Sequence, residues 1–170
     1  MRRYTLNSPF NIYHFEASHW EHPLHNHTYF EIIFILKGNG KHQINGNVVD
    51  YGEGDVFLLG PEDFHHFEID KLTEFCFIRF NDYFRKRQTA EGDSSWGNTL
   101  KTLLHTASRS RGSIVGEHRE KEKLHHLLHV LEQEYQSSES PYFETLRDSL
   151  MRSILTILAR NLFVQSNKRS

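Results

Sequence analysis

The sequence predicts a mostly β first half that closes into a sandwich or barrel, followed by a helical segment. Three observations support this fold class. Most of the 13 Phe, 7 Tyr and 2 Trp, which favour packed β-structure, lie in the first half of the chain. Short alternating runs separated by glycine turns recur there at intervals of about ten residues. Beyond residue 82, apolar residues recur at helical spacing instead.

Length and composition indicate an ordinary globular protein of one domain. The chain has 170 residues and a formal net charge of -2, so its overall charge favours neither nucleic acid nor a membrane as a partner. Cys76 is the only cysteine, which excludes an internal disulfide and fits a reducing compartment. The chain contains no apolar run of the roughly 18 residues that a membrane span needs. We therefore expect a cytoplasmic protein.

Six extended segments are predicted in the first 82 residues. One of them is a hairpin, in which Asn45-Gly46 supplies the two residues that tolerate positive φ in a type I′ turn. The other segments alternate or are continuously apolar between turn signals. The six predicted segments are residues 12–16, 31–36, 41–50, 55–59, 65–69 and 74–80.

The second half predicts three helices and a short tail. Two helices cover about 96–107 and 119–136. The third follows Ser140, a good N-cap, with Pro141 at the first helical position. It carries an apolar stripe that looks too wide for one neighbouring element. Residues 165–170 are polar and basic, and we expect them to form a linker.

One stretch in the first half combines potential ligands on a single face. In an extended strand side chains repeat with period two, so His25, His27 and Glu31 should point the same way. Ile33 and Ile35 continue that face as an apolar wall. Imidazole nitrogens and a carboxylate are ligands for divalent transition metals.

This stretch and a second one together resemble the cupin superfamily. His25, His27, Glu31 and Gly38 match the spacing of the first cupin motif, and residues 54–66 resemble the second. Two departures from the second motif stand out: its Pro-X-Gly turn is replaced by residues 60–62, and its asparagine by Ile69. The resemblance implies a cupin barrel, that is, a double-stranded β-helix or jelly roll, over residues 1–82. A segment of two to three helices would follow over residues 83–164.

The cupin resemblance also implies which side chains meet inside the barrel. In such proteins the histidine of the second motif, here His65, joins His25, His27 and Glu31. Two interpretations stay open. The four side chains hold a divalent metal such as Zn, Fe, Mn, Ni or Cu, or they line a polar ligand pocket together with Ile33. No cofactor is assigned by the sequence alone.

Three phrases stand out along the chain: HNHTYFEIIFILKGNGKHQING, GDVFLLGPEDFHHFE and ILTILARNL. Together with a barrel followed by helices, they resemble the N-terminal effector-binding and dimerisation domain of AraC-family transcription regulators. This resemblance implies a sugar or metabolite effector in the barrel and a homodimer formed by the last helix. DNA would be contacted only by a helix-turn-helix domain that these residues do not include. The residues expected at the dimer contact are Leu146, Leu150, Ile154, Ile157 and Leu158.

Two other functions remain as alternatives. A metal-dependent cupin enzyme, a dioxygenase or isomerase, would use His25, His27, Glu31 and His65 as ligands, and a plain dimeric binding module would lack any DNA role. No further acid or base residue stands out, so we predict no catalytic residue and no enzyme. His125 and His129 share a helix face that we expect to be solvated, and Cys76 is expected to be an inert packed thiol.

Overall fold

The computed structural model describes residues 2–4, 6–89, 94–107 and 112–168, with backbone only for 2–4 and 25–27. In this part of the chain, strands are followed by helices, as predicted. The strands are β1 (Arg2–Tyr4), β2 (Phe10–Ala17), β3 (His25–His27), β4 (Phe30–Ile44), β5 (Asn47–Tyr51), β6 (Val56–Leu59) and β7 (His65–Phe80). The helices are α1 (Asp82–Gln88), α2 (Ser94–Thr106), α3 (His118–Tyr135) and α4 (Phe143–Lys168).

Two long antiparallel strands, β4 and β7, form the centre of the sheet. One half of this pair is flanked by β6 and β2, and the other half by β5 and β3, with β1 beyond β3. The predicted segments 65–69 and 74–80 are therefore one strand, and 31–36 extends further than expected. The predicted hairpin turn is confirmed, because Asn45 (φ 49°) and Gly46 (φ 86°) join β4 to β5.

The two halves meet at a bend where the pairing of β4 and β7 is irregular. Register shifts lie between Ile35 and Gly40. Gly38 at the bend has φ +98°, and a Cβ there would collide with the Leu72 carbonyl oxygen. An irregularity of this kind increases local twist and bends a strand. The sheet can therefore fold over itself and enclose an interior.

The folded sheet has one core inside and another outside. The inner core combines residues from both halves of the sheet: Ile33, Ile35, Ile44, Tyr51, Phe57, Leu59, Phe67, Phe75 and Phe77. On the outer face, alternate residues of the same strands pack against the helices. The strand residues of this outer core include Ile32, Phe34, Val56, Leu58, Cys76, Ile78 and Phe80.

Helix α4 supplies a large part of the outer core, which changes the predicted role of its apolar stripe. Leu150, Ile154 and Leu158 are 9%, 0% and 0% exposed, and they pack in the core of the chain itself. Burying each such side chain contributes about 1.5–3 kcal/mol. These three residues are therefore unavailable to a partner in this fold. Leu146 stays 42% exposed and Ile157 is half-buried.

The two ends of α4 also differ from the prediction. The helix begins at Phe143, because Tyr142 takes a positive φ of 62° that cannot continue a helix through Pro141. At the other end it continues to Lys168, where a linker was predicted. Gln165 holds this end by donating to the Ser113 and Ile114 carbonyl oxygens at 3.1 and 2.6 Å. Residues 169–170 lie outside the described part.

Helix α1 was not predicted. Asn81 caps it by accepting a hydrogen bond from the Phe84 backbone N–H at 3.0 Å, and Phe84 is buried in the outer core. With this helix the described residues contain four helices, one more than the sequence indicated. None of the helices that the structure describes is both long and apolar enough to cross a membrane.

Replacing Gly38 by alanine should reduce the free energy of unfolding by roughly 2–4 kcal/mol. The substitution combines left-handed backbone strain with a clash against the Leu72 carbonyl. Gly46 is the matched control: its φ is +86°, but no described atom beyond its chain neighbours lies within 4 Å of an added Cβ. G46A should therefore cost only about 1 kcal/mol. Urea denaturation of both variants measures this, and equal losses would contradict the proposed close contact at the bend.

Candidate ligand site in the barrel

Three of the sequence-predicted site residues, Glu31, Ile33 and His65, lie in the barrel interior. Glu31 at the start of β4 and His65 at the start of β7 are 1% and 0% exposed, and Ile33 packs beside them in the inner core. His25 lies directly opposite His65 in the β3–β7 register. The side chains of His25 and His27 lie outside the described residues, so their part in the site stays a prediction.

Glu31 contacts a basic group on each of its two oxygens. The Arg79 Nε donates to Glu31 Oε2 at 2.7 Å, and His65 Nε2 lies 3.4 Å from Oε1. Burial opposes the charge of Arg79, but the neighbouring Glu31 carboxylate outweighs it and raises the pKa of the guanidinium further. Arg79 also lies over the rings of Phe77 and Tyr13, at 5.2 and 5.6 Å. The site therefore holds a fixed cation with aromatic walls.

A second buried histidine, His42, extends this network deeper into the barrel. Its Nε2 lies 3.0 Å from His65 Nδ1, so one ring donates an N–H to the other. Its ring stacks on Phe67 with centroids 3.9 Å apart. Burial, and then the neighbouring His65, hold the pKa of His42 well below its usual range. His42 is therefore neutral at physiological pH.

The tautomers of His42 and His65 determine whether the His65 Nε2 that faces Glu31 carries a proton. If His65 donates its Nδ1–H to His42, its Nε2 faces Glu31 with a lone pair, which is the form that binds a metal. If His42 donates, His65 Nε2 carries the proton and can donate it to Glu31 or to a ligand. Both arrangements keep a polar group directed at Glu31.

Glu31 and His65 fit part of the donor set of a divalent metal. Their facing atoms, Oε1 and Nε2, are 3.4 Å apart, which is close enough for both to bind one ion. Arg79 takes the other carboxylate oxygen and competes electrostatically with a cation. A metal would supply Lewis-acid or ligand-anchoring chemistry at this point, with Glu31 and His65 as two of its ligands.

An aromatic rim lies next to this network. Trp20 contacts Phe67 and Phe77 at ring distances of 5.0 and 6.1 Å. Its Nε1–H is buried, and none of the described residues accepts a hydrogen bond from it. A cavity of about 340 Å³ opens beside it, lined by Tyr13, Phe15, Glu16, Ala17, Ser18, His19, Trp20, Glu21 and His22.

Sequence reasoning missed Arg79, His42 and Trp20. The alternation of β7 could have identified Arg79, because it is two residues from Phe77 and therefore lies on the same inward face of the strand. His42 could not have been placed by simple alternation, since the irregular pairing between Ile35 and Gly40 changes which residues of β4 face inward. Trp20 lies in a loop, where periodicity gives no signal.

The comparisons with known proteins identify the family. A family model described as the AraC-like ligand binding domain matches residues 9–155. The chain therefore belongs to the AraC-like ligand-binding domain family, and its β part is a cupin barrel, as the sequence motifs predicted.

One curated relative is the HTH-type transcriptional activator RhaR of Pectobacterium carotovorum subsp. carotovorum (strain PC1). It is 28% identical over 138 residues, which are 81% of this chain and 46% of the relative. The chain thus spans about half the length of the curated relative it matches.

Two solved structures resemble part of the chain. A cupin protein from Bacteroides fragilis is 25% identical with a TM-score of 0.38, covering 43% of this chain and 64% of that chain. A predicted oxalate decarboxylase from Thermotoga maritima is 27% identical with a TM-score of 0.39, covering 41% and 64%.

Acidification should destabilise the fold through His42. Its pKa is depressed in the folded chain, so the unfolded chain takes up a proton below its ordinary value of 6.5 while the folded chain resists. Above pH 6.5 both states hold a neutral His42, and the free energy of unfolding does not depend on its protonation. Below pH 6.5 the free energy of unfolding falls by up to about 1.4 kcal/mol per pH unit. H42F should make the slope of unfolding free energy between pH 6.5 and 5 shallower by that amount. The control H129F, at an exposed position on α3, should leave it unchanged; equal slopes in all three proteins would contradict the assignment.

Proposed function

We propose that this chain is the effector-sensing part of an AraC-type transcription regulator and that a small polar effector binds at the barrel end described above. The observation that carries the proposal is the buried network of Glu31, Arg79, His65 and His42 within a ligand-binding domain of this family. We propose no catalytic role for these residues.

The chemistry of the network favours a hydroxylated effector such as a sugar or sugar acid. A buried ion pair is weak evidence for stability, because removing two charges from water offsets their attraction. Such groups are suited to orient a polar ligand in an otherwise apolar pocket. Arg79 provides a cation for a carboxylate or hydroxyl, and Trp20 provides an N–H donor and a ring face. The predicted pocket residues His25, His27 and Ile33 belong to the same proposed site.

The strand geometry supports a route from the effector to the helices. Glu31 and Ile33 face the interior, whereas Ile32 and Phe34 between them face the outer core that α4 shares. A ligand that shifts the start of β4 would therefore also shift the surface on which the helices rest. We propose that binding changes the relative populations of two helix arrangements.

The DNA-reading function is proposed for a region outside this chain. RhaR is named as a helix-turn-helix activator, and this chain aligns with less than half of it. We propose that an equivalent helix-turn-helix region works together with the domain described here and is its only contact with DNA.

Effector binding should depend on the Trp20 N–H. Screening sugars, sugar acids and related metabolites by thermal shift should yield a ligand, whose affinity is then measured by titration calorimetry. W20F keeps the ring but removes the donor, so we expect about a 3- to 10-fold loss of affinity. The matched control is W96F: Trp96 donates to the Gln88 carbonyl oxygen at 3.1 Å in the outer core, so affinity should not change.

Fluorescence provides a second measurement with the same pair of variants. The ligand should change the emission of W96F, whose remaining tryptophan, Trp20, lies at the proposed site. In W20F, a change in the emission of Trp96 would report the proposed rearrangement of the helices, because Trp96 packs in the outer core beside Arg152 of α4. Equal affinity of wild type and W20F, or ligand turnover instead of simple binding, would refute the sensor site in favour of another pocket or of an enzyme.

We also propose that the chain forms a homodimer through the exposed side of α4. Phe163 and Val164 are 66% and 41% exposed near its end. A groove of about 390 Å³ between α2 and α4 lies beside them and is lined by Asn98, Thr99, Thr102, Leu103, Thr106, Ala159, Leu162, Phe163 and Ser166. Exposed apolar residues beside an apolar groove favour a second copy of the chain as occupant.

F163D should weaken the dimer at least about tenfold, because it places a charge in a contact that must lose water. Light scattering over a range of concentrations measures the dissociation constant. V130D is the control, since Val130 is likewise an exposed apolar residue, 41% exposed against 66% for Phe163, but lies on α3. A wild type that stays monomeric at high concentration, or equal effects of the two variants, would contradict this dimer surface.

A further inference from the structure

A second group of potential ligands lies outside the barrel, where α3 covers the outer face of the sheet. His14 on β2 and Cys76 on β7 are directly paired across the two strands. Glu132 reaches them from α3. One ligand atom from each of the three, a nitrogen, the sulfur and a carboxylate oxygen, lies within 4.8 Å of the other two. The cluster therefore joins three elements that are distant in sequence.

His14 is held between two carboxylates. Its Nδ1 lies 2.7 Å from Glu132 Oε2, and its Nε2 lies 2.6 Å from Glu74 Oε2. Partial burial opposes protonation of the ring, but the hydrogen bonds to Glu132 and Glu74 outweigh it and raise the pKa of His14. The position thus stabilises positive charge beside two acidic groups.

Cys76 brings a thiol to the same point. It is fully buried, and burial followed by the neighbouring Glu132 and Glu74 carboxylates raises its pKa. The sulfur therefore keeps its proton and donates it in a hydrogen bond to Glu132. The sequence suggested an inert packed thiol, but its surroundings contain the nitrogen and oxygen donors that commonly accompany a thiolate at a metal.

We propose that His14, Cys76 and Glu132 form a Zn²⁺ site. Zn²⁺ binds thiolate sulfur, imidazole nitrogen and carboxylate oxygen in one tetrahedral set. Tetrahedral ligands at about 2.0–2.3 Å from the ion are about 3.3–3.8 Å apart, so the observed separations need only small side-chain movements. A water molecule completes the set, because the side chains of His14 and Glu132 are 37% and 18% exposed and leave an approach from solvent.

Glu74 has a positioning role in this site. The His14 Nδ1 faces Glu132 and coordinates the ion, while the Nε2–H continues to donate to Glu74. A carboxylate that accepts from the second nitrogen of a metal-bound histidine fixes its tautomer and raises its basicity. Binding releases the thiol proton and the Nδ1 proton to solvent, so the affinity increases with pH.

The site would fasten α3 to the sheet. Its ligands come from β2, β7 and α3, and Cys76 lies on the outer face of the same strand whose inner face carries His65. A metal here would stabilise the packing of α3 against the sheet independently of any effector in the barrel. This inference does not depend on the proposed sensor function.

Co²⁺ distinguishes this site from every other histidine-containing site in the protein. A thiolate bound to Co²⁺ gives an intense near-ultraviolet charge-transfer band, and Cys76 is the only cysteine. The barrel histidines cannot produce that band. Adding Co²⁺ to reduced, chelator-treated protein should give the band with a stoichiometry of one, and Zn²⁺ should displace it. Absence of the band, or Co²⁺ binding with only nitrogen and oxygen ligands, overturns the proposal.

Matched variants assign the ligands. C76S should abolish the band, and E132Q, which removes a direct ligand, should weaken Zn²⁺ binding by at least the roughly 10- to 100-fold that loss of an outer-shell partner costs. The control H125A/H129A removes two exposed histidines of α3 and should bind Zn²⁺ as the wild type does. Zn²⁺ at about 100 times its Kd should raise the wild-type Tm by about 5–10 °C. Unchanged Zn²⁺ affinity in both C76S and E132Q overturns the site; if C76S does not fold, E132Q and the wild-type spectrum still decide.

Discussion

The pairing of β4 with β7 through an irregular bend is the constraint on which the rest of the structure depends. Both strands are too long for one flat sheet layer, and the register shifts between Ile35 and Gly40 let them fold over. Gly38 permits this bend because its left-handed backbone and the nearby Leu72 carbonyl leave no room for a side chain. Without the bend, the residues of the two sheet halves would not face a common interior.

The alternation of these strands gives each face a separate role. Inward residues bring Glu31, Arg79 and His65 into contact, in surroundings where each polar group must have a partner. Outward residues form the core on which α3 and α4 rest. The same strand carries both sets, which is the route by which the proposed effector would act on the helices. The same geometry places Cys76 under α3, beside His14 and Glu132.

Much of the strand arrangement could be predicted because it depends on local sequence. Asn45-Gly46 specifies its turn by itself, and the alternation from Glu31 onward is long enough to assign a face. The resemblance to the cupin motifs brought His65 together with Glu31 inside the barrel, where their facing atoms are 3.4 Å apart. Prediction failed where local rules give no signal. The irregular pairing before Gly40 changes which alternate residues of β4 face inward, so His42 could not be placed inside the barrel from the sequence. It failed again at Pro141, where a favourable helix start was overruled by the backbone of Tyr142.

The sequence by itself determined that strands precede helices and which face of β4 points inward from Glu31 to Ile35, because periodicity and turn chemistry act over a few residues. Its motifs, through their resemblance to known proteins, indicated the family. Only the tertiary structure decided which apolar surfaces meet and which charges pair. Leu150, Ile154 and Leu158 were expected at the dimer contact, but in the tertiary structure they pack in the core of the chain itself. It also joined Arg79 to Glu31, 48 positions away, and Glu132 to His14, 118 positions away. Such contacts follow from burial in three dimensions, which no local pattern records.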